Sequence, residues 1–184
     1  ALLLHELKRR YPGLRLLGCT VDNGFMSPVA CENARSLMLR LGVDHLYHYS
    51  AAPLFAEVFR YALLTLGGRG CSEIVDRFDG DLLHDVGRQL AASMRIPLLI
   101  SGVSWVQVEQ IFGIRHFEMP REREFRSRIE QSPGLPKDLS RESQSWLWDP
   151  KRYSEDSVAR FIFPGYVWRL NEQEIRNQVQ ELGL

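Results

Sequence analysis

Apolar positions in this chain alternate between helical spacing and short unbroken runs. Leu2, Leu3, Leu4 and Leu7 open it in helical rhythm to about Tyr11, and Pro12-Gly13 stops that helix. Residues 14–21 are apolar without polar alternation, which predicts a strand covered on both faces. Ser27-Pro28 predicts a helix start, since Ser can cap free amides and Pro suits the first helical position. Val29, Leu37, Leu39 and Leu41 follow on that helix, and Gly42 ends it. Residues 45–49 read as another short strand. Ser50 is the expected cap of a helix carrying Phe55, Val58, Phe59, Ala62 and Leu63 to Gly67-Gly68. Asp79 or Asp81 is the expected cap of a helix with Leu82, Leu83, Val86, Leu90 and Met94 on one face. Residues 96–101 read as a buried strand, and Val103 to Phe112 as the next helix.

The order from Leu2 to Phe112 is helix, strand, helix, strand, helix, helix, strand, helix. It predicts an α/β fold: an open, mostly parallel Rossmann-like sheet with helices on both faces. One more strand in front of Ala1 is expected, to place the first helix. The pattern changes near residue 117. Residues 118–184 are expected to form an aromatic-rich C-terminal extension packing on a domain of residues 1–117. Within it, 121–128 is a charged helix in expectation and 131–145 a loop. Trp146 and Trp148 alternate as on a strand with one exposed face, which makes them the expected interface residues of a homodimer. Asn171 with Glu174 forms a capping box that opens a last helix.

The 184 residues suffice for one α/β domain with a core. Lys plus Arg and Asp plus Glu both number 23, so net charge gives no case for nucleic acid or an anionic membrane. No apolar run approaches the roughly 20 residues that span a bilayer. The 3 cysteines, Cys19, Cys31 and Cys71, are odd in number and widely spaced, which fits a reducing cytoplasm better than a disulfide framework.

Candidate chemistry gathers at strand ends. In an open α/β sheet, ligands bind outside the carboxyl ends of the strands. One predicted strand ends in Val21-Asp22-Asn23-Gly24, the other in Ser101-Gly102. Asn and Gly tolerate the left-handed backbone of a tight turn around a base, although a plain strand-to-helix turn uses the same residues. Gly102 would let backbone approach a ligand, and Ser104 offers a helix cap. Gln107 and Glu109 lie two apart, so one faces the crevice; Gln107 is nearer its active end. Asp81, His84, Asp85 and Arg88 share one helical face, either solvated or turned to a substrate, where Arg would suit diphosphate. No Cys or His spacing supports zinc.

In their order and spacing these segments resemble the PP-loop ATP pyrophosphatases, the adenine nucleotide alpha-hydrolase-like (HUP-type) superfamily. Ala1-Leu2-Leu3-Leu4 looks like the helix that follows the family's Ser-Gly-Gly-x-Asp-Ser phosphate loop, which places that loop and the first strand before Ala1. Asp22-Asn23-Gly24 is similar to the turn beside the adenine. Ser101-Gly102-Val103 resembles the fourth strand's end, with Gln107 and Glu109 where the family has an acidic pair. Segments 21–27 and 41–45 look most like the N-acetyl sugar amidotransferase branch.

The resemblance implies ATP and Mg²⁺ as cofactors, and an acyl group on a sugar-type acceptor that is adenylated with release of AMP and pyrophosphate. It also implies ammonia from a glutaminase subunit. Val21, Asp22, Asn23, Gly24, Ser101 and Gly102 would then hold the nucleotide, with Arg88 and Asp81 toward substrate and Gln107 near the chemistry. A tRNA-thiolating enzyme of this fold would want Cys-x-x-Cys, and Ile74 breaks the pair with Cys71. A third reading is a non-catalytic nucleotide-binding module.

Overall fold

The computed structural model describes residues 2–66, 74–112, 115, 135–169 and 171–183. Among them the chain is α/β. Helix α1 (Leu2–Arg10) precedes β1 (Leu17–Val21), α2 (Pro28–Leu41), β2 (Asp44–His48) and α3 (Ala52–Tyr61). A π-helical turn (Ala62–Leu66) extends α3. There follow α4 (Ile74–Ser93), β3 (Leu98–Ile100) and α5 (Trp105–Phe112). Then come α6 (Arg141–Trp146), β4 (Arg160–Ile162), α7 (Pro164–Trp168) and α8 (Glu172–Glu181).

Local chemistry sets several boundaries. Ser27 caps α2 by accepting the Ala30 N–H, with Pro28 as the first helical residue. Gly42 closes α2 in the left-handed conformation at φ 56°, which costs glycine nothing sterically. Asn171 and Glu174 form the reciprocal capping box of α8. Other expectations are corrected. Ala51, not Ser50, precedes α3, and no side chain caps it. Helix α4 extends from Ile74, so neither Asp79 nor Asp81 is its cap.

The strands pair in parallel but not in one sheet. β1 pairs β2, with Val21 opposite His48, and β3 pairs β4, with Ile100 opposite Ile162. Among the described residues these are separate two-stranded sheets. The single extended Rossmann-like sheet expected from the sequence is therefore not present among them. β4 lies in the segment read as a packing extension, so residues beyond 117 contribute a strand as well as a covering layer. Parallel pairing through a distant segment leaves no short-range signal in the sequence.

Among the described residues, three apolar clusters hold the layers. The largest joins Leu54, Phe55, Val58, Phe78, Leu82 and Val86 from α3 and α4 with Leu139 and Leu147 beside α6. Val108, Phe161 and Phe163 form the second, and Ala92, Trp148 and Val158 the third. Trp148 is 1% exposed and stacks on Tyr153 at 5.1 Å and 3°. Trp146 sits edge-on to His48 at 4.6 Å, at the end of a helix rather than on a strand. These two tryptophans are thus packing groups. The free interface face expected of an alternating strand does not exist, because Trp146 closes a helix and Trp148 follows it.

Segment 135–148, packed into the core through Leu139 and Leu147, is also held by one carboxylate. Glu57 on α3 accepts the Ser140 N–H (2.9 Å), the Ser140 hydroxyl (2.6 Å) and the Ser143 hydroxyl (2.8 Å). Ser140 also caps α6 by accepting the Ser143 N–H. Burial pushes the Glu57 pKa up, but the bonds from Ser140 and Ser143 outweigh it, and the net shift is downward. Glu57→Ala should lower unfolding stability by about 1–3 kcal/mol in urea titrations, since three donors lose their acceptor. The sign with pH follows. A depressed carboxyl pKa stabilises the fold above pH 4.5 and loses that contribution as pH falls through the folded value. The wild-type advantage over Glu57→Ala should therefore shrink below pH 4.5.

Candidate functional site

The carboxyl end of β1 is a built turn. Asp22 accepts the Gly24 N–H through Oδ1 at 2.8 Å, and Gly24 takes φ 85°, a conformation open to glycine. The Asp22 N–H donates to the His48 carbonyl at 2.8 Å, so the ladder with β2 runs to the start of the turn. The other carboxylate oxygen of Asp22, which is buried, accepts the Tyr47 hydroxyl. Tyr47 also lies 3.2 Å from Cys31 Sγ. The hydrogen bond to Asp22, and secondarily Cys31, pushes the Tyr47 phenol pKa upward, which keeps it a donor. Asn23 accepts the Phe25 N–H at 2.9 Å and donates to Asp79 Oδ1 at 2.9 Å. That last bond ties the end of β1 to the first half of α4.

The second strand end faces the same way. Helix α4 passes Asn23 at Asp79, in its first half, and runs back along the sheet, and a methyl group built on Gly87 would lie 3.7 Å from Leu99 of β3. The chain reverses after α4 through Arg95, at φ 55°, and enters β3. Both β1 and β3 are therefore antiparallel to α4, and their carboxyl ends share one edge. They are not neighbours, however. A cavity of about 1120 Å³ lies between them, lined on one side by Cys19 and Val21 and on the other by Leu98 and Ile100.

At the end of β3 the Ser101 N–H donates to the Ile162 carbonyl at 3.1 Å, completing the ladder with β4. Gly102 is exposed, and a Cβ there would meet only Leu3 Cδ2, at 3.5 Å. The fold itself thus leaves room for a larger residue. Ser104 and Gln107 form a reciprocal cap of α5: the Ser104 N–H donates to Gln107 Oε1 (2.8 Å) and the Gln107 N–H to Ser104 Oγ (3.3 Å). The amide oxygen of Gln107 is engaged by that cap.

The charged face of α4 is corrected. Asp85 and Arg88 are 1% and 3% exposed and form an ion pair at 3.3 Å. The Arg88 guanidinium lies 5.1 Å from the Phe161 ring centre, and His84 is 4.9 Å from the same ring. This face packs under β4, so Arg88 is neither solvated nor turned to a substrate in the crevice. Asp81 is half-buried on the same helix. Burial is tolerable because opposite charges compensate each other.

Val21, Asp22, Asn23 and Gly24 stand at the end of β1 and Ser101 and Gly102 at the end of β3, and of these Val21, Ser101 and Gly102 line the cavity between the strands. Sequence reasoning missed Tyr47 and Asp79, which hold the first of the two turns. Strand alternation is the signal for Tyr47, since its partner in the register is Thr20, two residues before Asp22. Phe25 was missed as well: it is 64% exposed beside the turn, with its ring 5.5 Å from that of Phe59. Cys71 lies outside the described residues. Among the described residues, no group of three or more His, Cys, Asp or Glu could hold a metal ion, and no helix is long and apolar enough to cross a membrane.

No family model, no curated protein and no solved structure matches the chain.

His48 links this edge to the C-terminal segment, because it accepts from Asp22 and packs on Trp146. It is buried, and burial lowers its pKa below 6.5. The unfolded chain then takes up a proton that the folded one refuses. Stability should be full above pH 6.5 and should fall as pH drops from there toward the folded value. His48→Phe should flatten this slope in denaturation midpoints measured between pH 7.5 and pH 5. An unchanged slope would assign the acid sensitivity to another group.

Proposed function

We propose that the chain is the core of an ATP-dependent ligase or amidotransferase. It would adenylate an acyl group on a sugar-type acceptor, release AMP and pyrophosphate, and take ammonia from a glutaminase partner. The observation that carries this reading is the shared carboxyl edge of β1 and β3, where Val21, next to the Asp22-Asn23-Gly24 turn, and the exposed Gly102 line one crevice. Parallel strands that stop at such turns form nucleotide crevices. The sequence resemblance to the PP-loop ATP pyrophosphatases supports the same choice.

The residues present fit an adenine nucleotide in a specific way. The side chains of Asp22 and Asn23 brace their own turn, so they would shape the crevice and leave base contacts to backbone around Val21 and Gly102. Gly102 has room for a ligand edge where its missing Cβ would be. Phe25 offers an exposed ring near the turn for stacking. Mg²⁺ would arrive on the ATP phosphates, as this ion commonly does, rather than in an all-protein cage. When bound, ATP supplies the activated phosphorus that an acyl oxygen attacks; the chain's own groups orient the base and exclude water from the edge.

Calorimetric titration of the natural polypeptide with MgATP tests the reading. Gly102→Val should weaken binding at least tenfold, or about 1.4 kcal/mol, with the fold intact by circular dichroism. Unchanged affinity would move the base away from Gly102.

Amide chemistry is further separated from sulfur chemistry by Cys71. A sulfur-transfer enzyme must carry sulfur on a thiolate, so its loop cysteine is indispensable. Cys71→Ser should keep ATP-dependent pyrophosphate release with acceptor and ammonia, at a cost below about tenfold in rate. A loss of several orders of magnitude would favour the thiolation reading.

A further inference from the structure

Away from the strand-end edge, a cavity of about 400 Å³ opens between α1, α7 and α8. Its lining is Glu6, Arg9 and Arg10 of α1, Trp168 of α7 and Gln178 of α8. Leu3, near the start of α1, meets Gly102, whereas Arg9 and Arg10 close the same helix. At 1.5 Å per residue, the cavity stands roughly 10 Å down the helix from that edge. Lys8 donates to the Leu41 and Gly42 carbonyls, which ties this end of α1 to the end of α2.

The two guanidiniums are used differently. Arg9 donates from Nε (3.1 Å) and Nη2 (2.7 Å) to both carboxylate oxygens of Glu6. Arg10 donates to Glu6 from Nε alone, at 2.8 Å. Its guanidinium lies over the Trp168 ring, 5.0 Å from the ring centre. The ring and the Nε bond fix the plane of the group. Its outer edge, Nη1 and Nη2, meets no acceptor among the described residues. Two parallel N–H donors on one edge match the two oxygens of a carboxylate. The half-buried side-chain amide of Gln178 also meets no partner among the described residues, and it brings a donor and an acceptor to the same cavity.

Charge narrows the ligand. Glu6 is buried, and the hydrogen bonds from Arg9 and then Arg10 hold its pKa at about 2, so it stays ionised. Two guanidiniums and one carboxylate leave one positive charge. A phosphate dianion would overcompensate that charge, whereas a single carboxylate neutralises it.

We propose that this cavity binds a small polar molecule carrying one carboxylate, held by the outer edge of Arg10 and by Gln178. Glu6 orients both guanidiniums and sets the charge of the site. The volume is that of small-ligand clefts, about 300–1,000 Å³. The site stands whether or not the strand-end edge binds a nucleotide.

The natural polypeptide would be titrated with D-glucuronate, which has one carboxylate and hydroxyls for Gln178. D-glucose and inorganic phosphate would be titrated in parallel. NMR would follow the indole N–H of Trp168, assigned through Trp168→Phe. Glucuronate should give a saturable shift, phosphate a weaker one and glucose none. Arg10→Gln should weaken glucuronate binding about tenfold or more, because a charge-assisted pair of bonds is lost. Arg9 still holds Glu6 in that variant, so circular dichroism should be unchanged. Arg35→Gln removes equal charge from an exposed pair with Glu32 on α2, and should bind glucuronate as the wild type does. No saturable shift with glucuronate, or an equal one with glucose, would overturn the proposal. Tighter binding of phosphate would also overturn it, and would assign the cavity to a phosphorylated ligand. Equal weakening in Arg35→Gln would overturn it too, since net charge and not this cavity would then attract the anion.

Discussion

Everything at the strand-end edge depends on how α4 is held, because it is the element shared by both strand pairs. Its Phe78, Leu82 and Val86 are buried against α3, while Gly87 faces Leu99 of β3, where a methyl group would lie in ordinary contact at 3.7 Å. Asn23 binds its first half through Asp79, which fixes where β1 stops relative to the helix. Burying side chains of this size is worth about 1.5–3 kcal/mol each, far more than the single hydrogen bond. Packing therefore sets the position of α4, and the polar contact sets only its register. The buried Asp85–Arg88 pair on the same helix is a weaker source of stability. Desolvation cancels much of the attraction, although removing one partner alone would leave a buried charge and cost about 3–5 kcal/mol.

What could be read from the sequence was local. The alternation of helices and strands through α5, the Ser27 cap, the left-handed Gly42 and the Asn171–Glu174 box all follow from chemistry within a few residues. The division into two strand pairs did not, since a parallel pairing joins segments far apart in the chain. β4 is the clearest case. Arg160, Phe161 and Ile162 sit in an aromatic-rich tail, and only their partners in β3 mark them as a strand. Trp148 misled for a related reason. Two tryptophans spaced by one residue resemble strand alternation, yet Ser140 caps a helix that carries Trp146, and Trp148 turns inward against Tyr153.

The candidate site divides in the same manner. The Asp22-Asn23-Gly24 turn was legible because its bonds are to residues two positions away. Its braces were not, because Tyr47 and Asp79 reach it from other elements. Gln107 shows the opposite error. Its spacing of three from Ser104 already carries the signature of a capping box, and a cap needs both of its groups where they are found. For Arg88 the helical face was right and the environment was wrong, since periodicity states which residues share a face and not what covers it.

Glycine near the end of β3 separates scaffold from chemistry. A Cβ on Gly165 would lie 2.5 Å from the Val103 carbonyl oxygen, a backbone atom that cannot give way. Gly165 is therefore fixed by the approach of α7 to the loop that follows β3. Gly18 is less constrained: its Cβ would meet the flexible tip of Met38. At Gly102 the nearest atom is Leu3 Cδ2 at 3.5 Å, an ordinary contact, and its φ is not in the left-handed region. Neither packing nor backbone conformation asks for glycine there, and glycine costs conformational entropy on folding. The open space beside Gly102 among the described residues is in keeping with the nucleotide edge proposed for this strand end.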